Sequence, residues 1–252
     1  SDRVYIVSSG RITGELPIEE ATQEKIIPSK AVDLMLEMAG VRATDFVIDL
    51  GSGQASIIIE AAKKLNARGI GLERDPNIFA EATTRAAKLG VDSRIKILKP
   101  DLTTVDLASA TVIIIVSGYQ PKELDPKKLF SLKAGTRIVA FDWEIENWSA
   151  DARLKIEEKL PTQKGEIPKW INLWVVPAKV EGAWETRIPE GDGWVSTTLR
   201  FAQTFQQVTG DAYIHGKTYS LERLDLKGEF LSFRIQKESQ TIIFVGQAQS
   251  GR

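Results

Sequence analysis

The sequence has 252 residues, a length that suits one large domain or one domain with a smaller neighbour. Its 33 basic and 34 acidic residues give a formal net charge of −1, which argues against binding nucleic acid or an anionic membrane through bulk charge. The absence of cysteine excludes disulfides, cysteine-ligated zinc and thiolate catalysis, and a single histidine, His215, disfavours a Ser-His-Asp triad.

The N-terminal part of the chain carries few structural signals. Residues 1–22 are mixed and polar, and we interpret them as an arm with one short strand at Val4 to Val7. No apolar run approaches the length of a membrane span, and nothing at the start resembles a signal peptide. The chain opens on Ser1 rather than Met, so a trimmed start stays open, and the expected location is the cytoplasm.

The first predicted helix covers Lys30 to Ala39. Ser29 is a favoured N-cap residue, and Gly40 ends the pattern. The apolar positions that form the helical stripe are Ala31, Leu34, Met35 and Met38. We expect this helix to cover a sheet, and Pro28 and Ser29 at its start are also candidate cofactor contacts.

The segment that follows predicts a strand, a glycine turn and a helix. Phe46 to Leu50 is apolar at four of five positions, as in a buried strand, and a helix is expected from about Ser56 to Leu65. Gly51 and Gly53 allow a ligand to approach the backbone closely, and the free N–H groups at a helix start favour polar ligand atoms. Because ligands of open α/β sheets bind at the carboxyl ends of the strands, we expect Asp49 to face the ligand.

The position of Asp49 bears on the identity of that ligand. A dinucleotide turn has the pattern G-x-G-x-x-G, and a carboxylate two residues before the first glycine would repel its pyrophosphate. Here Ser56 also replaces the last glycine. The pattern Asp-x-Gly-x-Gly-x-Ala suits a ligand with a positively charged end and no phosphates, and S-adenosylmethionine (SAM) is such a ligand. A glycine turn in another α/β protein, an NAD-dependent oxidoreductase included, is the alternative.

Two further acids follow predicted strands. Gly69 to Glu73 is the second strand, and Glu73 lies 20 residues after Gly53, where nucleotide-binding folds place a carboxylate that accepts from ribose hydroxyls. Arg94 to Leu98 is the third strand, and Asp101 beyond it is a candidate acceptor for an adenine amino group. The candidate cofactor contacts are Pro28, Ser29, Asp49, Gly51, Ser52, Gly53, Glu73, Arg74, Asp101, Leu102 and Ser117.

The remaining elements of this part predict a doubly wound α/β sheet. Ala110 to Val116 is apolar nearly throughout, which indicates a central strand, and Arg137 to Phe141 is the fifth strand. A short helix is expected at Lys127 to Leu132. Each strand but the last is followed by a helical stretch in this interpretation, and such alternation implies parallel strands.

The pattern changes after Trp143. Arg153 to Glu158 and Trp170 to Val176 predict an antiparallel hairpin, although Asp151 to Leu160 also fits a helix. Six β-branched and aromatic segments then predict a small antiparallel sheet or partial barrel: Val180–Arg187, Trp194–Phe201, Thr204–Val208, Lys217–Arg223, Phe230–Ile235 and Thr241–Val245. The predicted domains are therefore an arm (1–25), an α/β domain (26–177) and a β-rich C-terminal domain (178–252).

Residues 26–142 resemble class I SAM-dependent methyltransferases. The resemblance lies in Asp49-Leu-Gly51-Ser-Gly53-Gln-Ala55, Gly71-Leu-Glu73 and Pro100-Asp101-Leu102 at compatible spacing. Within that class, three stretches are similar to the small methyltransferases related to the ATP synthase c-subunit lysine methyltransferases: Ile27-Pro28-Ser29, Asp49 to Lys63 and Phe141-Asp142-Trp143. Some bacterial relatives also carry a β-rich tail. The chain departs from the family at Gln54-Ala55, where Asp-Gly is common.

The resemblance implies a Rossmann-like, mostly parallel sheet and transfer of a methyl group from SAM to a protein lysine, or otherwise to a small molecule. Asp49 would attract the methionine ammonium, Glu73 would hold the ribose and Asp101 the adenine. A non-catalytic module that binds SAM is the alternative. No metal and no nucleic-acid partner are expected, and the oligomeric state stays open.

The candidate catalytic residues are Tyr119, Asp142 and Trp143. They lie at the ends of the fourth and fifth predicted strands, beside the expected position of the methyl group. We expect them to orient the substrate, with Asp142 as the candidate proton acceptor; a capping or packing role is the alternative.

Overall fold

The computed structural model describes residues 3–8, 11–17, 27, 29–99, 106–116, 126–156, 169–237 and 240–248, the first two ranges by their backbone alone. The chain divides into two compact units. One unit contains Ser1–Leu129 and Thr136–Trp174, and the other contains Phe130–Gly135 and Val175–Arg252. Within the ranges described, no helix is both long and apolar enough to cross a membrane.

The N-terminal arm forms an antiparallel hairpin. Strand β1 (Arg3–Ser8) pairs with β2 (Arg11–Pro17), and the register shifts between Ile6 and Val7. The sequence pattern predicted one strand here, whereas the arm contains two. Its polar composition hid the second strand, because alternation is weak in a short hairpin with charged residues.

The first unit is built around a seven-stranded sheet with the order β5-β4-β3-β6-β7-β9-β8. Its strands are β3 (Phe46–Leu50), β4 (Arg68–Leu72), β5 (Ile95–Leu98), β6 (Val112–Val116), β7 (Arg137–Phe141), β8 (Ala152–Ile156) and β9 (Lys169–Val175). The strands from β5 to β7 pair in parallel, whereas β8 and β9 are antiparallel. This arrangement confirms the predicted doubly wound, mostly parallel fold.

Within the residues that the structure describes, four helices accompany these strands in chain order. They are α1 (Ser29–Met38), α2 (Ser56–Leu65), α3 (Pro76–Lys88) and α4 (Pro126–Phe130). The capping pattern accounts for the start of α3, because the Asp75 carboxylate accepts hydrogen bonds from the N–H groups of Asn77 and Ile78. Residues 106–109 contain no helix, so the helical stretch expected before the fourth strand is wrong over that range.

The chain turns back at β8 and β9, as the hairpin interpretation predicted. The helical alternative for this region is wrong over Ala152–Ile156, which pairs with β9. Strand β9 runs antiparallel to β7, because the Asp142 N–H donates to the Trp170 carbonyl at one end and the Gly135 N–H to the Val176 carbonyl at the other. The first residues of β9 therefore lie at the carboxyl end of β7.

Apolar side chains on both faces explain why this sheet is central. All five residues of β6 are buried, as expected for a Val-Ile-Ile-Ile-Val run in a parallel sheet. One face packs against α1 through a cluster that includes Met35, Ile114, Val139 and Ile171. The cluster around Ile58 and Ala82 joins α2 and α3.

A partly buried ion pair holds the amino end of the sheet. Asp45, just before β3, contacts the Arg137 guanidinium and accepts a hydrogen bond from Thr111 Oγ1 at 2.7 Å. Arg137 also donates to the carbonyls of Ala39 and Gly40, which follow α1. Burial by itself would raise the pKa of Asp45, but hydrogen bonds from Arg137, Thr111 and the Arg42 N–H outweigh it, and the pKa lies below its ordinary value.

We expect Asp45→Asn to destabilise the protein by about 2–4 kcal/mol at pH 7, between the cost of a lost hydrogen-bond partner and that of a broken buried ion pair. A lowered pKa adds stability above the pKa of the unfolded state, about 3.9, and that stability is lost as the pH falls through the folded-state pKa. The difference in the free energy of unfolding between the wild type and Asp45→Asn should therefore become smaller below about pH 4. Urea unfolding at several pH values tests this.

The matched control is Asp33→Asn, because Asp33 pairs with Lys64 on the exposed surface. We expect its urea midpoint to stay at the wild-type value. Equal losses of stability in the two variants would contradict the role given to the pair of Asp45 and Arg137. So would a loss of stability in Asp45→Asn that is the same at every pH.

The second unit contains a six-stranded antiparallel sheet in simple sequence order. Its strands are β10 (Gly182–Glu190), β11 (Gly193–Thr204), β12 (Gln207–Ile214), β13 (Lys217–Lys227), β14 (Phe230–Lys237) and β15 (Gln240–Gln247). The sheet curls, because Phe201 on β11 packs against Phe233 on β14 and Glu190 on β10 contacts Lys237 on β14. This agrees with the predicted small antiparallel sheet or partial barrel.

One predicted strand of this unit was wrong. Thr204–Val208 contains the turn between β11 and β12, at Phe205 and Gln206, rather than a strand of its own. Phe205 has φ 54°, a left-handed conformation that a β-propensity argument does not anticipate.

Candidate cofactor and acceptor site

The glycine turn lies between β3 and α2, as predicted. Gly51 and Gly53 have φ values of 75° and 52°, and Ala55 before the helix has φ 62°. Residues other than glycine rarely adopt these left-handed backbone angles, which explains why positions 51 and 53 are glycine. The Ser52 N–H donates to the Leu72 carbonyl at 2.9 Å, so the turn is attached to the end of β4.

Ser52 is a fully buried polar residue within this turn. Its Oγ has no hydrogen-bond partner among the described residues. A Cβ on Gly71 would lie 2.8 Å from this Oγ, so the glycine of β4 makes the space that Ser52 occupies. Buried hydroxyls are normally hydrogen-bonded, which makes Ser52 Oγ suited to a polar group of a bound ligand.

Glu73 connects the two strand ends directly. Its Oε2 accepts a hydrogen bond from the Gly53 N–H at 3.0 Å, and its Oε1 accepts one from the Asp75 N–H at 2.8 Å. The carboxylate is buried. Each carboxylate oxygen has further acceptor capacity, so Glu73 can hold the turn and still accept from a ligand hydroxyl. Sequence reasoning placed Glu73 at the strand end but missed its contact with Gly53.

Asp49 lies in β3, between β4 and β6. Its Cα partners are Gly71 on β4 and Ile114 on β6, and its side chain is 0% exposed. The turn, the buried Ser52 hydroxyl and two carboxylates at neighbouring strands fit the donor and acceptor groups of SAM: an ammonium, a carboxylate and ribose hydroxyls. Asp49, Ser52, Gly53 and Glu73 are the described residues that would hold it.

Two of the other predicted cofactor contacts are exposed, and several lie outside the described residues. Ser29 is exposed in the first turn of α1, and Arg74 is exposed between β4 and α3. Gln54, where the family commonly has Asp, donates to Glu81 on α3 at 3.3 Å. Pro28, Asp101, Leu102 and Ser117 lie outside the described residues, as does Tyr119 of the acceptor side.

Asp142 and Trp143 follow β7 at the same edge of the sheet as the glycine turn. Asp142 has φ 52°, and its carboxylate Oδ2 contacts the Nζ of Lys169, the first residue of β9. Both side chains are buried, with 6% and 4% exposed. Sequence reasoning missed Lys169, because a lysine at a strand start normally indicates a solvent-exposed end.

A second layer of contacts holds Trp143. Its carbonyl accepts from Asn172 Nδ2 at 2.8 Å, and Asn172 Oδ1 accepts from Arg153 Nε at 2.9 Å. The Trp143 ring meets that of Trp174 edge to face, with 6.3 Å between centroids, and the Arg153 guanidinium lies 4.8 Å from the centre of the Trp170 ring. The segment after β7 is therefore held by side chains of β8 and β9.

The chain is similar in sequence to known methyltransferases. The model of the ANTKMT methyltransferase domain matches residues 49–152. A protein-lysine N-methyltransferase of Saccharolobus islandicus is 38% identical over 151 residues, which cover 59% of this chain and 90% of that protein. The ATP synthase c-subunit lysine N-methyltransferase of Rattus norvegicus is 30% identical over 106 residues, and the match spans about half, 49%, of that protein and 42% of this chain.

A solved structure agrees in fold and in sequence. The crystal structure of an RNA methyltransferase from Salinibacter ruber in complex with S-adenosyl-L-homocysteine has a TM-score of 0.53 and 31% sequence identity. The match covers 61% of this chain and 95% of that one. Two relatives that are at least 30% identical and almost fully covered settle the assignment. The chain belongs to the ANTKMT-type family of class I SAM-dependent methyltransferases.

Proposed function

We propose that this enzyme methylates the side-chain amine of lysine in a protein. The observation that carries the proposal is the buried, left-handed Asp142 beside Trp143, at the edge of the sheet that also holds the glycine turn. Two relatives named as lysine N-methyltransferases, at 38% and 30% identity, support the same acceptor. A small-molecule amine is the alternative acceptor.

The reaction joins the methyl carbon of SAM to a neutral amine nitrogen as the carbon–sulfur bond breaks, and the methylated ammonium then releases its proton to solvent. The protein contributes position and charge. Asp49 would attract the ammonium of the cofactor, while the turn with Gly51 and Gly53 would hold its methionine part and Glu73 its ribose. Fixing both reactants in line can lower the barrier by roughly 7–11 kcal/mol in favourable cases.

Asp142 serves in this proposal to orient the amine rather than to act as a strong base. Its carboxylate already contacts the Lys169 ammonium, which balances its negative charge. The carboxylate can still accept a hydrogen bond from the amine. Trp143, held by Asn172 and Trp174, offers an aromatic surface to the methylene chain of a lysine side chain.

RNA is the second acceptor to test, because the Salinibacter ruber relative is named as an RNA methyltransferase. The charge of this chain disfavours it: 33 basic residues balance 34 acidic ones, whereas binding to the phosphate backbone depends on clustered cations.

The experiment uses tritiated SAM with extracts of cells from which the gene has been deleted, divided into untreated, protease-treated and ribonuclease-treated samples. We expect the label in protein, sensitive to protease, and mass spectrometry should place it on lysine. Label that is sensitive to ribonuclease would replace lysine by RNA, and label only in the small-molecule fraction would replace it by a metabolite. Asp142→Ala should remove transfer and leave SAM affinity within about threefold, because Asp142 lies roughly 10 Å, or two strand spacings, from β3.

A further inference from the structure

The ion pair between Asp142 and Lys169 lies on the same face of the sheet as Asp49. Asp49, Ile114 and Val139 are adjacent in register across β3, β6 and β7, and neighbours in register on parallel strands project to one side. Ile114, Val139 and Ile171 belong to the cluster under α1. Lys169 precedes Ile171 by two residues, so it projects to that face as well.

The pair is also the feature of this edge that is hardest to explain as packing. Removing two charges from water is costly, and apolar residues of similar volume would stabilise a sheet end equally well or better. Asp142 moreover keeps a left-handed backbone, which costs a non-glycine residue free energy. Strained backbone and buried charge at a ligand-facing strand end are typical of functional sites.

The other charged side chains described around the pair are exposed. Strand β8 places Ile156 opposite Lys169, and β6 ends at the buried Val116. The charged side chains on α1, on the segment after β7 and on β8 are Lys30, Asp33, Glu37, Glu144, Glu146, Asp151, Arg153 and Lys155, and all of them are exposed. Glu144 and Arg153 also pair with each other. Among the described residues, Lys169 is therefore a buried cation in direct contact with Asp142.

We propose that Lys169 is a positioning residue that makes the acceptor site select the neutral form of the substrate amine. This inference rests on the proposed function, because it concerns an amine acceptor. Without the adjacent Lys169 cation, the buried carboxylate would favour binding the acceptor as an ammonium ion, and an ammonium has no lone pair with which to attack. With its charge matched by Lys169, Asp142 accepts a hydrogen bond from the neutral amine and directs the nitrogen lone pair toward the methyl donor.

The charge of Asp142 affects the protonation of an amine bound beside it. A free lysine amine has a pKa near 10.4, so only a small fraction is neutral at pH 7. A carboxylate that is not paired with a cation stabilises the charged form of a neighbouring amine. It therefore raises the pKa of that amine. Without Lys169 the enzyme should bind the acceptor at least as well but turn it over slowly until the pH is raised.

The test compares Lys169→Met with Lys169→Arg, which restores the cation, and with the double variant Asp142→Asn/Lys169→Met, which removes both charges. The substrate is a lysine peptide taken from the labelled protein. We expect Lys169→Met to lower kcat about tenfold or more near pH 7.5, to leave or lower the KM for the peptide, and to regain kcat as the pH rises. Lys169→Arg should keep the wild-type profile, and the double variant should lower kcat without the shift in pH dependence.

Lys155→Met is the matched control, since Lys155 is an exposed lysine on the neighbouring strand. SAM affinity should stay within about twofold in every variant. The proposal would be overturned if Lys169→Met lowered kcat by the same factor at all pH values, or if SAM affinity fell together with kcat. Either result would show that Lys169 acts only through structure. Unchanged kinetics would overturn the proposal too.

A second readout does not need a lysine substrate. The carboxyl carbon of Asp142, observed by carbon NMR with labelled aspartate, should report an ionised group through neutral pH in wild type and in Lys169→Arg. In Lys169→Met without acceptor it should shift toward the protonated form, because a buried carboxylate that loses an adjacent cation is more easily protonated. A bound acceptor amine would take up that proton and become an ammonium. If the wild-type enzyme proved to methylate RNA, the proposed function would fail while this signal would still decide the role of Lys169; an Asp142 signal that does not change in Lys169→Met would overturn that role.

Discussion

Gly53→Val is expected to abolish SAM binding, with a loss of roughly 100-fold or more, about 3 kcal/mol. Gly53 has φ 52°, which a β-branched residue tolerates poorly, and its N–H donates to Glu73 Oε2 in the turn that would receive the cofactor. The added side chain would both disturb this hydrogen bond and occupy the approach to the backbone. Calorimetric titration with SAM and S-adenosylhomocysteine measures the loss.

The control for this variant is Gly90→Val. Gly90 has φ 68° and nothing within 4 Å of an added Cβ, and it follows α3 away from the turn. It imposes a similar backbone strain without touching the proposed cradle, so it should lower the melting temperature and preserve SAM affinity. Normal SAM binding by a folded Gly53→Val protein would mean that the turn is not the cofactor site.

Glu73→Ala is expected to weaken SAM binding by about 1–3 kcal/mol through the loss of hydrogen bonds to a charged group. Two effects add: the variant removes the acceptor for ribose hydroxyls, and it leaves the Gly53 and Asp75 N–H groups without the carboxylate that now holds them. Glu73→Gln keeps one acceptor oxygen and should lose less affinity. Titration of both variants with SAM gives the comparison.

Glu81→Ala provides the matching control, because Glu81 is an exposed acid on α3 whose described partner is Gln54. Its SAM affinity should equal that of the wild type. If Glu73→Ala also bound SAM with unchanged affinity, both the ribose assignment and the bracing of the turn by Glu73 would have to be given up.

The sequence by itself determined the bounds of two buried strands and one helix of the first unit. The predicted ranges of β3, α2 and β7 coincide with the observed ones, Phe46–Leu50, Ser56–Leu65 and Arg137–Phe141. Each is a short apolar or helical run bounded by glycine, aspartate or asparagine, so local periodicity and local turn chemistry agree. The acids at the strand ends followed from the same reasoning, since their positions are set relative to these runs.

Only the tertiary structure decided which side chains meet. Glu73 and Gly53 are 20 residues apart and Lys169 and Asp142 are 27 apart, and both pairs form because strand order brings separate strand ends to one edge. Pairing also decided that Ala152–Ile156 is a strand, and curling of the second sheet brought β10 to β14. Periodicity reports how one segment is buried, whereas partners depend on contacts between distant segments, and this is why Lys169 could not be recognised before the fold was known.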